Sequence, residues 1–202
     1  MKIKIGVGIG ITLGIIYYLF FSSSYEIKNA IPTGKNIICF GDSLTYGTGA
    51  SKDMDYPSQL SRRIHMPIIN AGVPGDTTET ASRRIEDVLT QDPRIVLITL
   101  GGNDLKNGVS RDAAFTNLKF IVEKIQDKGA LVILGGIDFP LFGRGFGDGY
   151  QVLAQQTGSV LIPNIFKGIF NKSGLMSDPI HPNDAGYAIM TEHFYKAIQP
   201  YL

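Results

Sequence analysis

The chain has 202 residues, 44% of them hydrophobic and 18% charged, with a formal charge of +1. That composition excludes a disordered tail, and the near-neutral balance removes the electrostatic case for nucleic-acid binding. One cysteine, Cys39, excludes an internal disulfide and a cysteine-based zinc site.

Lys2 and Lys4 precede an almost unbroken apolar run from Ile5 to Phe21, closed by Ser22, Ser23 and Ser24. The run lies at the lower limit for a membrane span and above the usual core of a signal peptide. Residues 1–24 are therefore expected to be a membrane anchor. A cleaved signal is the alternative, although the Ala-x-Ala pattern of a cleavage site is missing. Positive charge ahead of the run predicts an inside amino terminus, with the rest of the chain on the periplasmic or extracellular side. Residues 25–35 read as a linker broken by Pro32 and Gly34. Residues 36–202 are long enough for one domain with a single core.

Within that domain apolar runs alternate with helical patterns. Strands are expected at Ile37–Phe40, Pro67–Asn70, Ile95–Leu100, Leu131–Leu134 and Val160–Ile162. They are short and rich in Ile, Val and Leu, as strands buried on both faces are. Cys39 lies inside the first and reads as an inert core thiol. Tyr56–Ile64 predicts a helix with Pro57 in its first turn. Thr78 and Ser110 are expected N-caps of two further helices, with Ala81, Ile85 and Val88 on one apolar face and Ala114, Leu118 and Ile121 on the other. A last helix follows Pro182. Arg62-Arg63 and Arg83-Arg84 read as solvated helix faces. Strand–helix alternation predicts an α/β fold, a parallel sheet with helices on both faces.

Four polar segments follow these strands. Gly41-Asp42-Ser43-Leu44-Thr45 comes first, and Ser43 reads either as a cap or as a nucleophile. The Gly-x-Ser-x-Gly elbow is not satisfied, because position 45 is Thr. Asn70-Ala71-Gly72 offers a backbone N–H for an oxyanion, or an ordinary glycine turn. Gly101-Gly102-Asn103-Asp104 offers the Asn103 amide as a donor that needs no deprotonation, or a Gly-Asn turn. In Asp178-Pro179-Ile180-His181-Pro182, a spacing of three lets Asp178 hold one imidazole nitrogen and leave the other free as a base; the alternative is a plain ion pair. Each bland reading stands when taken singly. All four segments, however, fall on the edge where a parallel sheet collects its functional groups. A nucleophile, two oxyanion donors and an oriented base are the set that acyl transfer requires.

In this order the segments resemble those of the SGNH (GDSL-type) hydrolases, especially the bacterial lysophospholipase/arylesterase/acyl-CoA thioesterase branch. The resemblance extends to Tyr56-Pro57, to Gly72-x-x-Gly75-x-Thr77-Thr78 and to Ile162-Pro163. It implies a flavodoxin-like three-layer α/β/α sandwich with a five-stranded parallel sheet. It also implies a serine ester hydrolase that needs no metal or cofactor and acts on a small-molecule acyl ester, thioester or lipid. Ser43, Asp178 and His181 would form the triad, and Gly72 and Asn103 would donate to the oxyanion beside the Ser43 N–H.

The chain departs from that branch between Gly135 and Gly147, where a Pro-Asn-Tyr-Gly run is missing. Phe139, Leu141, Phe142 and Phe146 in this stretch either line an acyl pocket or pack the loop down. Two rival functions stay open. One is an acyltransferase using the same acyl-enzyme on an envelope glycan or lipid; the other is a non-catalytic envelope-binding module. His65 and His193 have no partner motif and read as ordinary surface or satisfied histidines, and no cluster has metal-ligand spacing.

Overall fold

The computed structural model describes residues 25–139, 143 and 145–202. The apolar segment expected to anchor the chain, residues 1–24, lies outside them. Among the described residues no helix is long and apolar enough to cross a membrane.

Five parallel strands form one sheet in the order β2-β1-β3-β4-β5. They are β1 (Asn36–Gly41), β2 (Ile68–Gly72), β3 (Pro93–Thr99), β4 (Leu131–Gly135) and β5 (Val160–Ile162). The central strands lack an alternating pattern because both faces are covered. Ile37 to Phe40, Ile95 to Ile98 and Leu131 to Leu134 are all at most 1% exposed. Cys39 is wholly buried among them, and burial pushes its thiol far above the ordinary range, which leaves it protonated and inert.

Eight α-helices are described. They are α1 (Ser43–Tyr46), α2 (Tyr56–Ile64), α3 (Thr78–Arg83), α4 (Ile85–Leu89), α5 (Gly102–Asn107), α6 (Arg111–Gln126), α7 (Phe146–Thr157) and α8 (Asp184–Ile198). α2 and α8 pack together on one face of the sheet, where the rings of Tyr56 and Phe194 stack at 4.6 Å. α3, α4, α6 and α7 pack together on the other. The result is the three-layer α/β/α sandwich. From β1 the chain winds outward to β2, then returns past β1 to β3. The crevice at this reversal, beyond the carboxyl ends of the strands, is where such sheets collect ligands.

Several elements differ from the pattern read in the sequence: α1 and α5 have no expected counterpart, and β3 runs from Pro93 to Thr99 rather than from Ile95 to Leu100. β2 runs two residues further and takes in Ala71 and Gly72, which pair with Phe40 and Gly41 of β1. The helix expected behind Thr78 is capped instead by Thr77, in a reciprocal pair with Thr80, and breaks at Arg84 into α3 and α4. Thr78 turns inward, and its N–H and hydroxyl both donate to the buried Asp104 carboxylate, at 2.9 and 2.7 Å. α7 has no clear helical signal, because it opens on Phe-Gly-Asp-Gly, and glycine is a poor helix former. Its Gly149 has a packing reason: a Cβ there would lie 2.4 Å from the Phe115 ring on α6.

Residues 25–35, read as a linker, lie against the domain. The Lys28 N–H donates to Gly158 O, and the Asn29 amide donates to Gln126 O and Ala130 O.

Candidate active site

Ser43 opens α1 directly after β1. Asp42 is the N-cap, and its carboxylate accepts the Leu44 N–H at 3.0 Å. Beneath this turn the hydroxyls of Thr45, Thr99 and Tyr56 are linked to one another, Thr45 to Tyr56 at 3.0 Å. The turn that carries Ser43 is thereby tied to β3 and α2.

Asp178 and His181 lie in the loop between β5 and α8. The Asp178 Oδ1 accepts the backbone N–H groups of Ile180 and His181, both at 2.8 Å. Its Oδ2 lies 2.6 Å from His181 Nδ1, and His181 Nε2 lies 2.9 Å from Ser43 Oγ. Partial burial pushes the Asp178 carboxyl upward, but the His181 ring and the two N–H donors outweigh it and hold the group below the ordinary carboxylate range. An ionised Asp178 can only accept, so Nδ1 carries the proton and the Nε2 lone pair faces the Ser43 hydroxyl. This arrangement can take a proton from Ser43 and hand it to a leaving group.

Ser43 and His181 stand at one side of a cavity of about 510 Å³. Its wall is mostly apolar, with Leu105, Ile137, Phe139, Phe166 and Phe170 prominent. Phe139, Phe166 and Phe170 pack their rings together, with centroids 4.6 to 6.1 Å apart. Of the four aromatic and aliphatic residues singled out between Gly135 and Gly147, Phe139 lines this cavity. Phe146 instead packs into the core against Phe115, and Leu141 and Phe142 lie outside the described residues. Nothing in the sequence separates Ile137, Phe166 and Phe170, which also line the cavity, from ordinary core residues.

Asn103 also lines the cavity, in the first turn of α5. Its amide donates to Asp76 O at 2.9 Å and more weakly to Asp42 Oδ2 at 3.4 Å. Gly72 does not line the cavity. It ends β2, and its N–H donates to Asn70 Oδ1 at 3.0 Å. A Cβ at Gly72 would lie 2.2 Å from Tyr46 N, so glycine is required there for β2 and α1 to meet.

Three buried carboxylates lie behind these groups: Asp42, Asp76 and Asp104. Burial pushes the Asp42 carboxyl up. The Leu44 N–H opposes this, the charges of Asp76 and Asp104 add to it, and the group is raised to about 7. Arg84, expected on a solvated face, instead turns inward and pairs with Asp76 at 2.6 Å. Periodicity gives no sign of this, because the acceptors come from β1, β2 and the loop before α3. The other three arginines of the two pairs match the expectation; Arg83, for example, is exposed and pairs with Glu79 along α3. Among the described residues no group of three or more His, Cys, Asp or Glu side chains is arranged to hold a metal ion. His193 donates its Nδ1–H to Ile165 O at 3.2 Å and lies away from the cavity lining.

A model of the GDSL-like lipase/acylhydrolase family matches residues 39–189. The chain belongs to that family. Among its GDSL-like relatives, the chain is 27% identical to esterase TesA of Pseudomonas aeruginosa over 83% of this chain and 90% of the relative. It is 28% identical to thioesterase 1/protease 1/lysophospholipase L1 of Escherichia coli K12, over 81% of this chain and 83% of that one. The crystal structure of AlinE4, an SGNH-hydrolase family esterase, matches with a TM-score of 0.67 and 33% identity, over 82% of this chain and 93% of that one. As a GDSL-like acylhydrolase with relatives of these activities, the protein is a serine ester hydrolase.

Proposed function

We propose that the protein cleaves carboxylic ester or thioester bonds through an acyl-enzyme on Ser43, with His181 and Asp178 completing the triad. The observation that carries this reading is the continuous path Ser43 Oγ–His181 Nε2, His181 Nδ1–Asp178 Oδ2, opening onto an apolar cavity. Ser43 Oγ attacks the carbonyl carbon while its proton passes to His181 Nε2. The imidazolium formed is stabilised by Asp178, then returns the proton to the departing alcohol or thiol. Water repeats the sequence from the other side and releases the acid.

The negative charge on the carbonyl oxygen falls to the Ser43 N–H, the Asn103 amide and the Gly72 N–H. The first N–H groups of a helix have no partner within it, so Ser43 at the start of α1 is suited to the task. Asn103 turns toward the oxyanion by releasing its long bond to Asp42, and Gly72 by exchanging its Asn70 acceptor for the substrate. The apolar wall suits an acyl chain or aryl group, and so a small-molecule ester or lipid substrate. Turnover of p-nitrophenyl butyrate by the wild type and its abolition in Ser43→Ala test the reading.

Residues 1–24, in the same proposal, hold the domain of residues 36–202 at the outer face of a membrane. Its support is the apolar run behind Lys2 and Lys4. Carbonate extraction of membranes from cells expressing the full chain tests it. Release into the soluble fraction would remove the anchor.

A further inference from the structure

Arg84 touches neither the cavity nor any residue of the proposed triad, yet its guanidinium meets three segments that carry the reacting groups. Its Nη2 donates to Gly41 O at 2.9 Å, its Nη1 to Ala71 O at 3.0 Å, and its Nε to Asp76 Oδ2 at 2.6 Å. The side chain is only 20% exposed, and its guanidinium carbon lies 4.4 Å from the centre of the Phe40 ring.

Each acceptor has a defined relation to the site. Gly41 O lies two residues before Ser43 and also accepts the Val73 N–H, at 2.9 Å, which ties the end of β1 to the chain leaving β2. Ala71 O and the Gly72 N–H belong to the same planar peptide unit, so fixing one fixes the direction of the other. Asp76 accepts the Asn103 amide on its backbone oxygen, while Thr80 and Arg84 hold its carboxylate. We propose that Arg84 is a positioning residue that sets the mutual geometry of Ser43, Gly72 and Asn103. This rests on the reading of Gly72 and Asn103 as oxyanion donors.

The chemistry of the side chain supports a geometric role over one of charge alone. A lysine would satisfy the Asp76 carboxylate as a point charge. It has no planar fork of N–H groups to serve two backbone carbonyls at the same time. A misplacement of about 1 Å in a positioned donor can cost ~10²-fold in rate.

The test measures kcat, KM and melting temperature on p-nitrophenyl butyrate for wild type, Arg84→Lys, Asn103→Ala and the double variant. Active sites are counted by fluorophosphonate titration. The expected result for Arg84→Lys is a kcat per labelled site lowered by about tenfold to a hundredfold, with KM within about twofold. The loss caused by Asn103→Ala should be smaller in the Arg84→Lys background than in the wild type, because the two act through one route. A full kcat in Arg84→Lys, or losses that simply multiply, overturns the proposal. If Asn103→Ala itself keeps wild-type kcat, the donor assignment fails, and the route through Asp76 fails with it. If Arg84→Lys does not fold, Asp76→Asn replaces it, with the same kcat loss expected and a full kcat again overturning the proposal.

Discussion

His181 Nε2 lies 2.9 Å from Ser43 Oγ, although 138 residues separate the two in the chain. The parallel sheet explains the meeting: Ser43 follows β1 and His181 follows β5, and both connections leave the sheet at its carboxyl edge. The loop of His181 is held from within, since Asp178 accepts two of its backbone N–H groups.

Asp178→Asn should leave that loop intact and stop the chemistry. The asparagine carbonyl can still accept the Ile180 and His181 N–H groups. Its NH₂ would then face His181 Nδ1 as a donor and favour the tautomer with the proton on Nε2, which cannot take a proton from Ser43. A fall in kcat of about 10⁴-fold is expected, with little change in melting temperature. Activity within a few-fold of wild type would remove Asp178 from the mechanism.

Asp42 makes stability depend on pH in a stated direction. Its carboxyl is raised from 3.8 to about 7 by burial, against the Leu44 N–H and with the charges of Asp76 and Asp104. Between those values the folded protein keeps a proton that the unfolded chain has lost, so this group's contribution to stability falls as pH rises through the window and is constant above it. Asp42→Asn should therefore gain melting temperature relative to wild type as pH rises from about 4 to about 7. Its constant offset is a separate matter, because the new amide faces the Asn103 amide. A difference in melting temperature independent of pH would contradict the shift.

Gly72→Ala should damage fold and activity together. The added Cβ would meet Tyr46 N at 2.2 Å and Thr45 C at 2.7 Å, both backbone atoms that cannot rotate away. Either β2 or α1 must move, and α1 begins with Ser43. Overpacking of this kind costs about 1–3 kcal/mol, readable by urea unfolding, with a lower kcat in the folded fraction.

The cavity wall predicts a dependence on acyl length. Each methylene buried against it contributes about 0.8 kcal/mol, or roughly a fourfold rise in kcat/KM, from acetate upward until the cavity is filled. Phe170→Ser should flatten that slope while leaving acetate hydrolysis nearly unchanged. A flat series in the wild type would place the acyl chain elsewhere.

Much of this architecture can be read from the residues, for identifiable reasons. β1, β3 and β4 stand out because burial on both faces makes them continuous apolar runs. The end of β2 does not, since Ala71 and Gly72 have no strand signature and are drawn in by pairing with β1. α7 is hidden by Gly147 and Gly149, the second of which answers to Phe115 rather than to local preference. Ser43, Asp178 and His181, the proposed triad, can be picked out because the segments that carry them follow strands at one edge of the sheet. Arg84 is not, because an arginine beside another arginine carries no mark of direction. Only the assembled carbonyls of Gly41 and Ala71 and the Asp76 carboxylate turn it inward.

The most direct measurement is the site of covalent modification by a fluorophosphonate, mapped by peptide mass spectrometry on the full chain. The reagent reports the serine whose hydroxyl is activated. The account predicts one adduct, on Ser43, that forms with loss of esterase activity and is absent from Ser43→Ala. An adduct on another serine with Ser43 unmodified, or esterase activity persisting in Ser43→Ala, would contradict it.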